Sequence, residues 1–373
     1  MVQISKVLVA ASVAGLTAAK KVFIDNDGLA PLQVLFPLLA GWEVLGISTS
    51  FGSSSTVDSA GAAYDVLTAY NLTSCIPHYV GAQQPLLRTQ DTFDTWQSLF
   101  GELVWQGAFA PSYEDLYSWD NITYNDSVPG AVALIEAVKA NKDTDPVYIY
   151  AAGMMTTVAQ AISLYPDLVK DAAGLYIMGG YFDQQFAAGT GTPIVNDINT
   201  DINLMQDPEA AQIVLTANWT ELYIGANVTN YLVPSQELYD RLITKAGGYS
   251  VLEENSYLEP VLNLVATGNY TENNSQQTLP FWDEVVSAFM VWPDMVQSTT
   301  NFSVAVDTQF YSPFYGSLRI WGAEFAPKGQ ITGNATIVNK IDDSRFYDLL
   351  VSTYFMDWRQ YCEVGGPVTL EGY

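Results

Sequence analysis

The sequence predicts an α/β fold in which a mainly parallel central sheet, of the open Rossmann-like type, carries helices on both faces. Short runs rich in β-branched and aromatic residues alternate with apolar helical stretches of about ten residues, a pattern typical of such sheets. Hydrophobic residues make up 49% of the 373-residue chain, which is enough for a large core. Because we find no repeat or long linker, we predict one domain over residues 20–373.

The order of the elements follows from these runs. Strands are predicted at residues 21–24, 43–49, 75–80, 147–151, 174–177 and 222–224. Helices are predicted at residues 30–40, 57–70, 131–139, 156–164, 208–216, 235–246 and 343–355. Ligands of open α/β sheets bind in the crevice outside the carboxyl ends of the strands. We therefore look for the functional site in the segments that follow the strands.

The charge balance excludes several classes of partner. Lys and Arg number 14 against 40 Asp and Glu, which gives a net charge of −26. Nucleic acids and anionic membranes are bound through basic surfaces, so we expect neither as a partner. A small-molecule ligand fits this composition, and homo-oligomers are compatible with it.

The N-terminus is typical of a secretory signal peptide. Lys6 precedes an apolar run at residues 7–16, and the small residues 17–19 follow it, as in secretory signals. The alternative is an ordinary first strand and helix. No later apolar run approaches the roughly 20 residues that span a bilayer. We expect residues 1–19 to be removed and the mature protein to be extracellular.

Glycosylation sequons and cysteines bear on the same question. Nine Asn-X-Ser/Thr sequons are more than chance would give, and they predict a glycoprotein: Asn71, Asn121, Asn125, Asn218, Asn227, Asn269, Asn273, Asn301 and Asn334. Cys75 and Cys362 are the only cysteines, too few for a disulfide framework. The sequence leaves open whether they pair in an oxidising compartment or lie separately as small buried side chains.

Several common catalytic arrangements are absent from the sequence. HExxH, Walker A and GxGxxG motifs do not occur, which removes the usual zinc-protease, nucleoside-triphosphate and dinucleotide interpretations. The one histidine, His78, lies between Pro77 and Tyr79 in a predicted strand. We interpret it as structural rather than catalytic.

Two carboxylates follow the first predicted strand, where Asp25 and Asp27 precede Gly28. Along a continuing strand they would point to opposite faces, whereas at a strand end both can face a ligand or a hard cation. The alternative is an acidic loop that caps the next helix. The first strand alone does not decide between these interpretations.

Further segments resemble, in order, the motifs of the nucleoside hydrolase family, the inosine–uridine-preferring hydrolases and their relatives. The matching segments are residues 25–31, 153–157, 178–180, 201–203, 207–211, 282–283 and 343–346. This resemblance runs from about residue 21 to residue 355. It implies an enzyme that cleaves the N-glycosidic bond of nucleosides and a calcium ion in its site.

The resemblance also implies roles for individual residues. Asp27 corresponds to the general base that activates water. The backbone carbonyl of Thr156 and the side chains of Asp27 and Asp283 correspond to calcium ligands. The remaining candidates bind substrate. Asp201 and Asn203 correspond to residues that hold ribose hydroxyls, and Asn196 matches a further ribose-binding Asn only if a one-residue gap is allowed. Asp25 is a candidate for the substrate and for the metal.

The chain departs from the family pattern at three positions of the first motif, residues 25–31. The Pro that follows the second Asp is missing, and an Asp-Asp pair is replaced by Ala30 and Pro31. One of those carboxylates binds calcium in the family and the other a ribose hydroxyl. Since calcium takes about 6–8 oxygen ligands, we expect a weakened site unless Asp25 compensates.

A tryptophan replaces the family's usual general-acid histidine. The Trp282-Asp283 pair resembles the purine-specific branch, in which two indoles sandwich the base. Trp282 fits one side, and Trp105, with Trp96 behind it, is the candidate for the other. Core packing is the alternative for each of these side chains.

We therefore expect a secreted nucleoside hydrolase that prefers purine ribonucleosides and releases free base and ribose for salvage. A second hypothesis is a non-catalytic nucleoside- or sugar-binding relative that lost part of the metal site. A third is a glycosidase with a carboxylate pair, acting on ordinary sugars. The third hypothesis is disfavoured, because the carboxylate pattern fits a site for ribose and a metal ion better than a glycosidase pair.

Overall fold

The computed structural model describes residues 19–103, 105–182, 201–274, 279–366 and 368–369, and only the backbone of 267–274 and 368–369. Residues 1–18 of the predicted signal peptide lie outside the described residues. The predicted fold class is confirmed, because the described chain is an α/β protein built on a mostly parallel nine-stranded open sheet. Among the described residues, no helix is long and apolar enough to cross a membrane.

The sheet has the strand order β3-β2-β1-β4-β5-β6-β9-β7-β8. All its pairings are parallel except those of β7 with β8 and β9. A separate antiparallel pair, β10 with β11, lies near the C-terminus. The strands are β1 Lys21–Asn26, β2 Glu43–Thr49, β3 His78–Val80, β4 Val147–Ala152, β5 Gly174–Ile177, β6 Leu222–Ile224, β7 Val296–Val306, β8 Leu318–Trp321, β9 Gly333–Ile341, β10 Met356–Asp357 and β11 Val368–Thr369.

Helices connect most of the strands. Those of the first half are α1 Pro31–Leu39, α2 Thr56–Ala69, α3 Gln90–Phe100, α4 Gly130–Asn141, α5 Thr156–Leu164 and α6 Leu168–Asp171. Those of the second half are α7 Ile202–Gln206, α8 Pro208–Leu215, α9 Gln236–Ala246, α10 Tyr249–Glu254, α11 Glu259–Asn274, α12 Trp282–Val291, α13 Asp343–Tyr354 and α14 Tyr361–Val364.

Two hydrophobic clusters cover the two faces of the sheet. Along β1, Val22 and Ile24 belong to one cluster and Phe23 to the other, as the alternation of side chains in a strand requires. The first cluster includes residues of α1, α12 and α13, and the second includes residues of α4, α5 and α8. Helices therefore pack on both faces, as predicted.

Sequence reasoning missed the antiparallel strands β7, β8 and β9. The first half of β7 is mostly exposed and polar, so it lacks the apolar run by which the parallel strands are recognised. The long pairing of β7 with β9 therefore has no strong local signal in the sequence.

A disulfide bond joins Cys75 to Cys362, which settles the open question about the two cysteines in favour of pairing. It connects the segment before β3 to α14, 287 residues further along the chain. Beside it, Asn71 Nδ2 donates to the carbonyl oxygen of Arg359 at 2.6 Å. The C-terminal segment is thus fixed to the loop that follows α2.

The strand order places a crevice next to β1. The sheet runs from β1 to β2 and β3 on one side and to β4, β5 and β6 on the other. Such a reversal of strand order leaves a gap at the carboxyl ends, where ligands of open sheets bind. Asp25 pairs in register with Ser48 of β2 and Ala151 of β4, so the first carboxylate of the candidate site lies at this reversal.

Candidate active site

Asp25 lies near the carboxyl end of β1, on the face of the sheet that packs against α5. It is completely buried, and one of its oxygens, Oδ1, accepts a hydrogen bond from Ser48 Oγ of β2. Its Oδ2 has no hydrogen-bond partner. Burial raises its pKa from 3.8 to about 7, although hydrogen bonds from Ser48 and Thr157 oppose the rise. Asp25 is thus a poorly solvated carboxyl group with one free oxygen.

Asp27 is enclosed by two glycines. A Cβ atom added to Gly52 would lie 2.1 Å from Asp27 Oδ2, and one added to Gly153 would lie 2.8 Å from Asp27 N. Any larger residue at either position would displace the carboxylate. Asp27 Oδ2 accepts from Ser53 N at 2.6 Å. Burial outweighs that bond and raises the pKa of Asp27 to about 6.

Asp283 enters from α12 and meets two amide side chains of β1 and α1. Asn26 Oδ1 accepts from Gly28 N at 2.9 Å, and Asn26 Nδ2 donates to Asp283 Oδ2 at 3.5 Å. Gln33 Oε1 accepts from Ala30 N at 2.7 Å. Burial, then the charges of Glu284 and Asp27, raise the pKa of Asp283 well above its usual range.

Asp201 and Asn203 hold the backbone around them. Asp201 caps α7 through Leu204 N and also accepts from the amides of Gly180 and Tyr181. Asn203 Nδ2 donates to the carbonyl oxygens of Ala152 at 3.3 Å and Met178 at 3.1 Å. Both residues thus fix the ends of β4 and β5.

The electrostatics of Asp201 follow those of the other buried carboxylates. Only 3% of it is exposed, and burial raises its pKa to about 6 against four backbone hydrogen bonds. Asn203 is 2% exposed. The third ribose candidate, Asn196, lies outside the described residues.

Thr156 is the first residue of α5, and its hydroxyl donates to Asp207 Oδ2 at 2.6 Å. Asp207 also accepts from Leu86 N at 2.7 Å and caps α8 through Ala210 N. The two residues join α5, α8 and the loop after β3. The hydrogen bond to Asp207 therefore holds Thr156 in place by its side chain, whereas the predicted calcium ligand is its backbone carbonyl.

Trp282 begins α12, immediately before Asp283. Its Nε1 donates to Asn230 Oδ1 at 2.7 Å, which fixes the plane of the indole. Trp105 is 47% exposed and precedes Gln106, whose carbonyl oxygen accepts from Gln206 Nε2. The loop that carries Trp105 is therefore attached to the end of α7.

Trp96 is a core residue, so the interpretation that places it behind Trp105 as part of a base-binding wall receives no support. It is 1% exposed, and its Nε1 donates to Ser312 O at 2.9 Å. It packs in one buried cluster with Phe93 and Phe109. The alternative of core packing holds here.

His78 is buried in β3 and acts as a structural residue. Its Nε2 lies 3.1 Å from Thr49 Oγ1, and burial lowers its pKa to about 4. The imidazole is therefore neutral at ordinary pH and has a structural partner, as the sequence interpretation expected.

The described side chains do not assemble a calcium site. Asp27 Oδ2 and Asp25 Oδ1 already accept hydrogen bonds, and an amide nitrogen faces Asp283. Ala30 and Pro31 provide no side-chain oxygen. Within the described ranges, no group of three or more His, Cys, Asp or Glu residues is placed to hold a metal. The carboxylate oxygens that remain at Asp25, Asp27 and Asp283 are fewer than the 6–8 oxygens that calcium takes.

Sequence reasoning missed the polar residues that hold the candidates in place. Asn26 lies between Asp25 and Asp27, so its position alone was a usable signal. Gln33 and Asn230 offer none, since each is one polar residue within an otherwise ordinary segment. Their contacts with residues of α12 are set by tertiary packing.

Comparisons with known proteins agree with the family resemblance that the sequence motifs indicate. Residues 22–348 match the family described as inosine-uridine preferring nucleoside hydrolase. A Schizosaccharomyces pombe protein described as uncharacterized protein C800.11 is 43% identical over 355 residues, which are 95% of this chain and 90% of that one. The pyrimidine-specific ribonucleoside hydrolase RihB of Escherichia coli is 25% identical over 65% of this chain and 67% of its own length.

Solved structures share the fold. An inosine-guanosine nucleoside hydrolase superposes with a TM-score of 0.66 at 20% identity, covering 90% of this chain and 98% of its own. A purine-preferring ribonucleoside hydrolase from Gardnerella vaginalis gives 0.63 at 17% identity, covering 90% and 98%. The family match extends over most of the chain and includes Asp25, Asp27 and Asp201. The chain therefore belongs to the inosine–uridine preferring nucleoside hydrolase family.

Proposed function

We propose that this protein hydrolyses the N-glycosidic bond of ribonucleosides and that Asp27 is its general base. The observation that carries the proposal is the burial of Asp27 between glycines, next to two further carboxylates, with a pKa raised to about 6. Asp27 contributes to the raised pKa of both Asp25 and Asp283, so the three groups are electrostatically linked. A carboxylate with this pKa is a better proton acceptor than an exposed one.

The reaction requires a water molecule, a sugar cation and a departing base. Asp27 takes a proton from the water, whose oxygen bonds to C1′ of the ribose as the bond from C1′ to the base nitrogen breaks. Positive charge develops on the sugar in such reactions. Ionised Asp27 places negative charge near that cation, which lowers the barrier. The base leaves with the bonding electron pair and takes up a proton.

Calcium has no step in this mechanism. Members of the family are typically calcium-dependent, but the described residues here do not fit a bound calcium ion. Ionised Asp27 carries the electrostatic part of the proposal.

We also propose a preference for purine bases. Trp282 is held by Asn230, so its indole is oriented before substrate binds. Stacking a base on an aromatic side chain contributes roughly 1–3 kcal/mol, and the larger purine face gains more. His78 cannot protonate the leaving base, since it is buried against Thr49. The base is thus selected by stacking, and its proton comes from solvent. Among the compared proteins, two have purine-type names and RihB is called pyrimidine-specific.

The proposed location is extracellular. The disulfide between Cys75 and Cys362 suits an oxidising compartment, and the N-terminal 19 residues are typical of a signal peptide. Six of the sequon asparagines in the described residues are exposed: Asn71, Asn121, Asn125, Asn218, Asn301 and Asn334. Of these, Asn71 already uses its Nδ2 in the hydrogen bond to the carbonyl oxygen of Arg359. These features together support a secreted glycoprotein.

The substitution Asp27→Asn should lower kcat at least about 100-fold, since the amide cannot accept a proton from water. The rate is measured by chromatography as the release of free base from inosine, adenosine and uridine. Asp167→Asn is the matched control, because that carboxylate is 66% exposed and lies outside the site. A variant that keeps more than about a tenth of the wild-type rate would remove Asp27 from its role. Nucleoside binding without base release in the wild type would favour the non-catalytic hypothesis.

Turnover should rise as the pH increases through about 6. Asp27 acts as a base only when ionised, and its pKa is about 6, so the rate is low below that pH. Single-turnover rates on inosine between pH 4.5 and 8 give the apparent pKa. An acidic limb centred near pH 4 would mean that the working base is an ordinary exposed carboxylate.

Purine nucleosides should exceed uridine in kcat/KM by at least about tenfold, the factor that corresponds to 1.4 kcal/mol. Trp282→Ala should remove most of this preference, and Trp282→His should improve uridine cleavage by restoring a proton donor. Trp119→Ala is the control, because Trp119 packs on Tyr124 outside the site. Equal wild-type values for inosine and uridine would rule out stacking as the selector. A preference that survives Trp282→Ala would point to Trp105.

The secreted chain should begin near residue 19 or 20 and carry N-glycans, but none at Asn227. Asn227 Oδ1 accepts from Phe182 N at 3.0 Å and its Nδ2 donates to Phe182 O at 2.7 Å, so a glycan on Nδ2 would break this pair. Intact mass and glycopeptide mapping, with and without an N-glycan-releasing enzyme, measure both. An unglycosylated chain that retains Met1 would contradict the proposed location.

A further inference from the structure

Two amide side chains face Asp283 from the β1–α1 segment. Asn26 is completely buried, and its Oδ1 accepts from Gly28 N. This bond fixes which way the amide is turned, because an oxygen must face the backbone N–H. Its Nδ2 is therefore directed away from Gly28, and it donates to Asp283 Oδ2 at 3.5 Å.

Gln33 is oriented by the same logic. Its Oε1 accepts from Ala30 N, which leaves Nε2 to point into the interior. Gln33 is completely buried, and Nε2 lies on the Asp283 side without an acceptor at full hydrogen-bonding distance. The backbone is fixed here as well, since Ser287 Oγ of α12 donates to Gln33 O at 3.1 Å.

These contacts place amide N–H groups beside Asp283, one of the carboxyl groups that the family resemblance assigns to calcium. An amide N–H group has no lone pair available for a metal ion, whereas the carboxylate oxygens that calcium prefers are absent at Ala30 and Pro31. The Asn26 contact is long, so one amide contributes modestly. The second amide, Gln33, is held by the backbone N–H of Ala30, and its Nε2 lies near both Asp283 and Tyr150.

We propose that Asn26 and Gln33 take the place of a cation beside Asp283, so that this chain keeps its site assembled without a resident calcium ion. The amides hold Asp283 and, through it, the start of α12 that carries Trp282. In this proposal the two amides do what a cation would otherwise do. The site therefore does not need acidic residues at positions 30 and 31, where the chain has Ala30 and Pro31.

The first test is the metal content and melting of the purified full-length secreted protein. After desalting, elemental analysis should find far less than one calcium per chain. The melting temperature should be the same in excess EDTA and in millimolar CaCl₂. About one calcium per chain, or a melting temperature that falls in EDTA and recovers with calcium, would overturn the proposal.

The second test introduces a carboxylate beside Asp283. Asn26→Asp removes the donor and creates an acidic pair, so the variant should melt lower in EDTA and recover by several degrees in calcium, as binding to the native state stabilises it. Asn339→Asp is the matched control, since Asn339 is exposed on β9 and should show no response. Gln33→Glu serves as the second variant if Asn26→Asp does not fold.

Calcium-insensitive melting in a folded variant would show that the amides are not what excludes the cation. These measurements involve no substrate. A wild-type protein that melts independently of calcium but releases no base would contradict the proposed function and leave this inference standing.

Discussion

The candidate site depends on keeping several carboxyl groups out of water at one edge of a parallel sheet. Asp25, Asp27 and Asp201 are all 3% exposed or less. A buried charge is costly unless hydrogen bonds replace its water, and each of these groups receives such bonds from backbone amides or hydroxyls. Burial still outweighs these bonds, since all three pKa values are raised. The site is therefore a set of weak acids, and its chemistry follows from that property.

The fold supplies what this arrangement needs from distant parts of the chain. The reversal of strand order beside β1 opens the crevice, and Gly52 and Gly153 leave room for the Asp27 side chain. The α12 helix brings Asp283 from the second half of the chain, and Tyr150 of β4 donates to its carbonyl oxygen at 2.7 Å. Only the packed sheet and its helices together bring these residues to one site.

The sequence predicted the parallel part of this structure because each of those strands is an apolar run with a polar or glycine-rich segment after it. Asp25 and Asp27 were found for the same reason. The antiparallel strands were missed, since β7 is polar over its first half. Gln33 and Asn230 were missed because their roles exist only in the packed protein: Asn230 lies 52 residues before its partner Trp282. Trp96 shows the converse, a residue type suited to base stacking that packing assigns to the core.

Burial of the carboxyl groups makes catalysis and stability depend on pH in opposite directions. Asp25, Asp27 and Asp201 hold protons in the native state up to about pH 6 or 7, whereas in the unfolded chain they release them near pH 4. The native state thus binds more protons between these values, so the free energy of unfolding falls as the pH rises through this window. The net charge of −26 adds self-repulsion in the same direction. The proposed base, however, works only above about pH 6. A disulfide that fixes the C-terminal segment offsets part of the stability that is lost where the site becomes active.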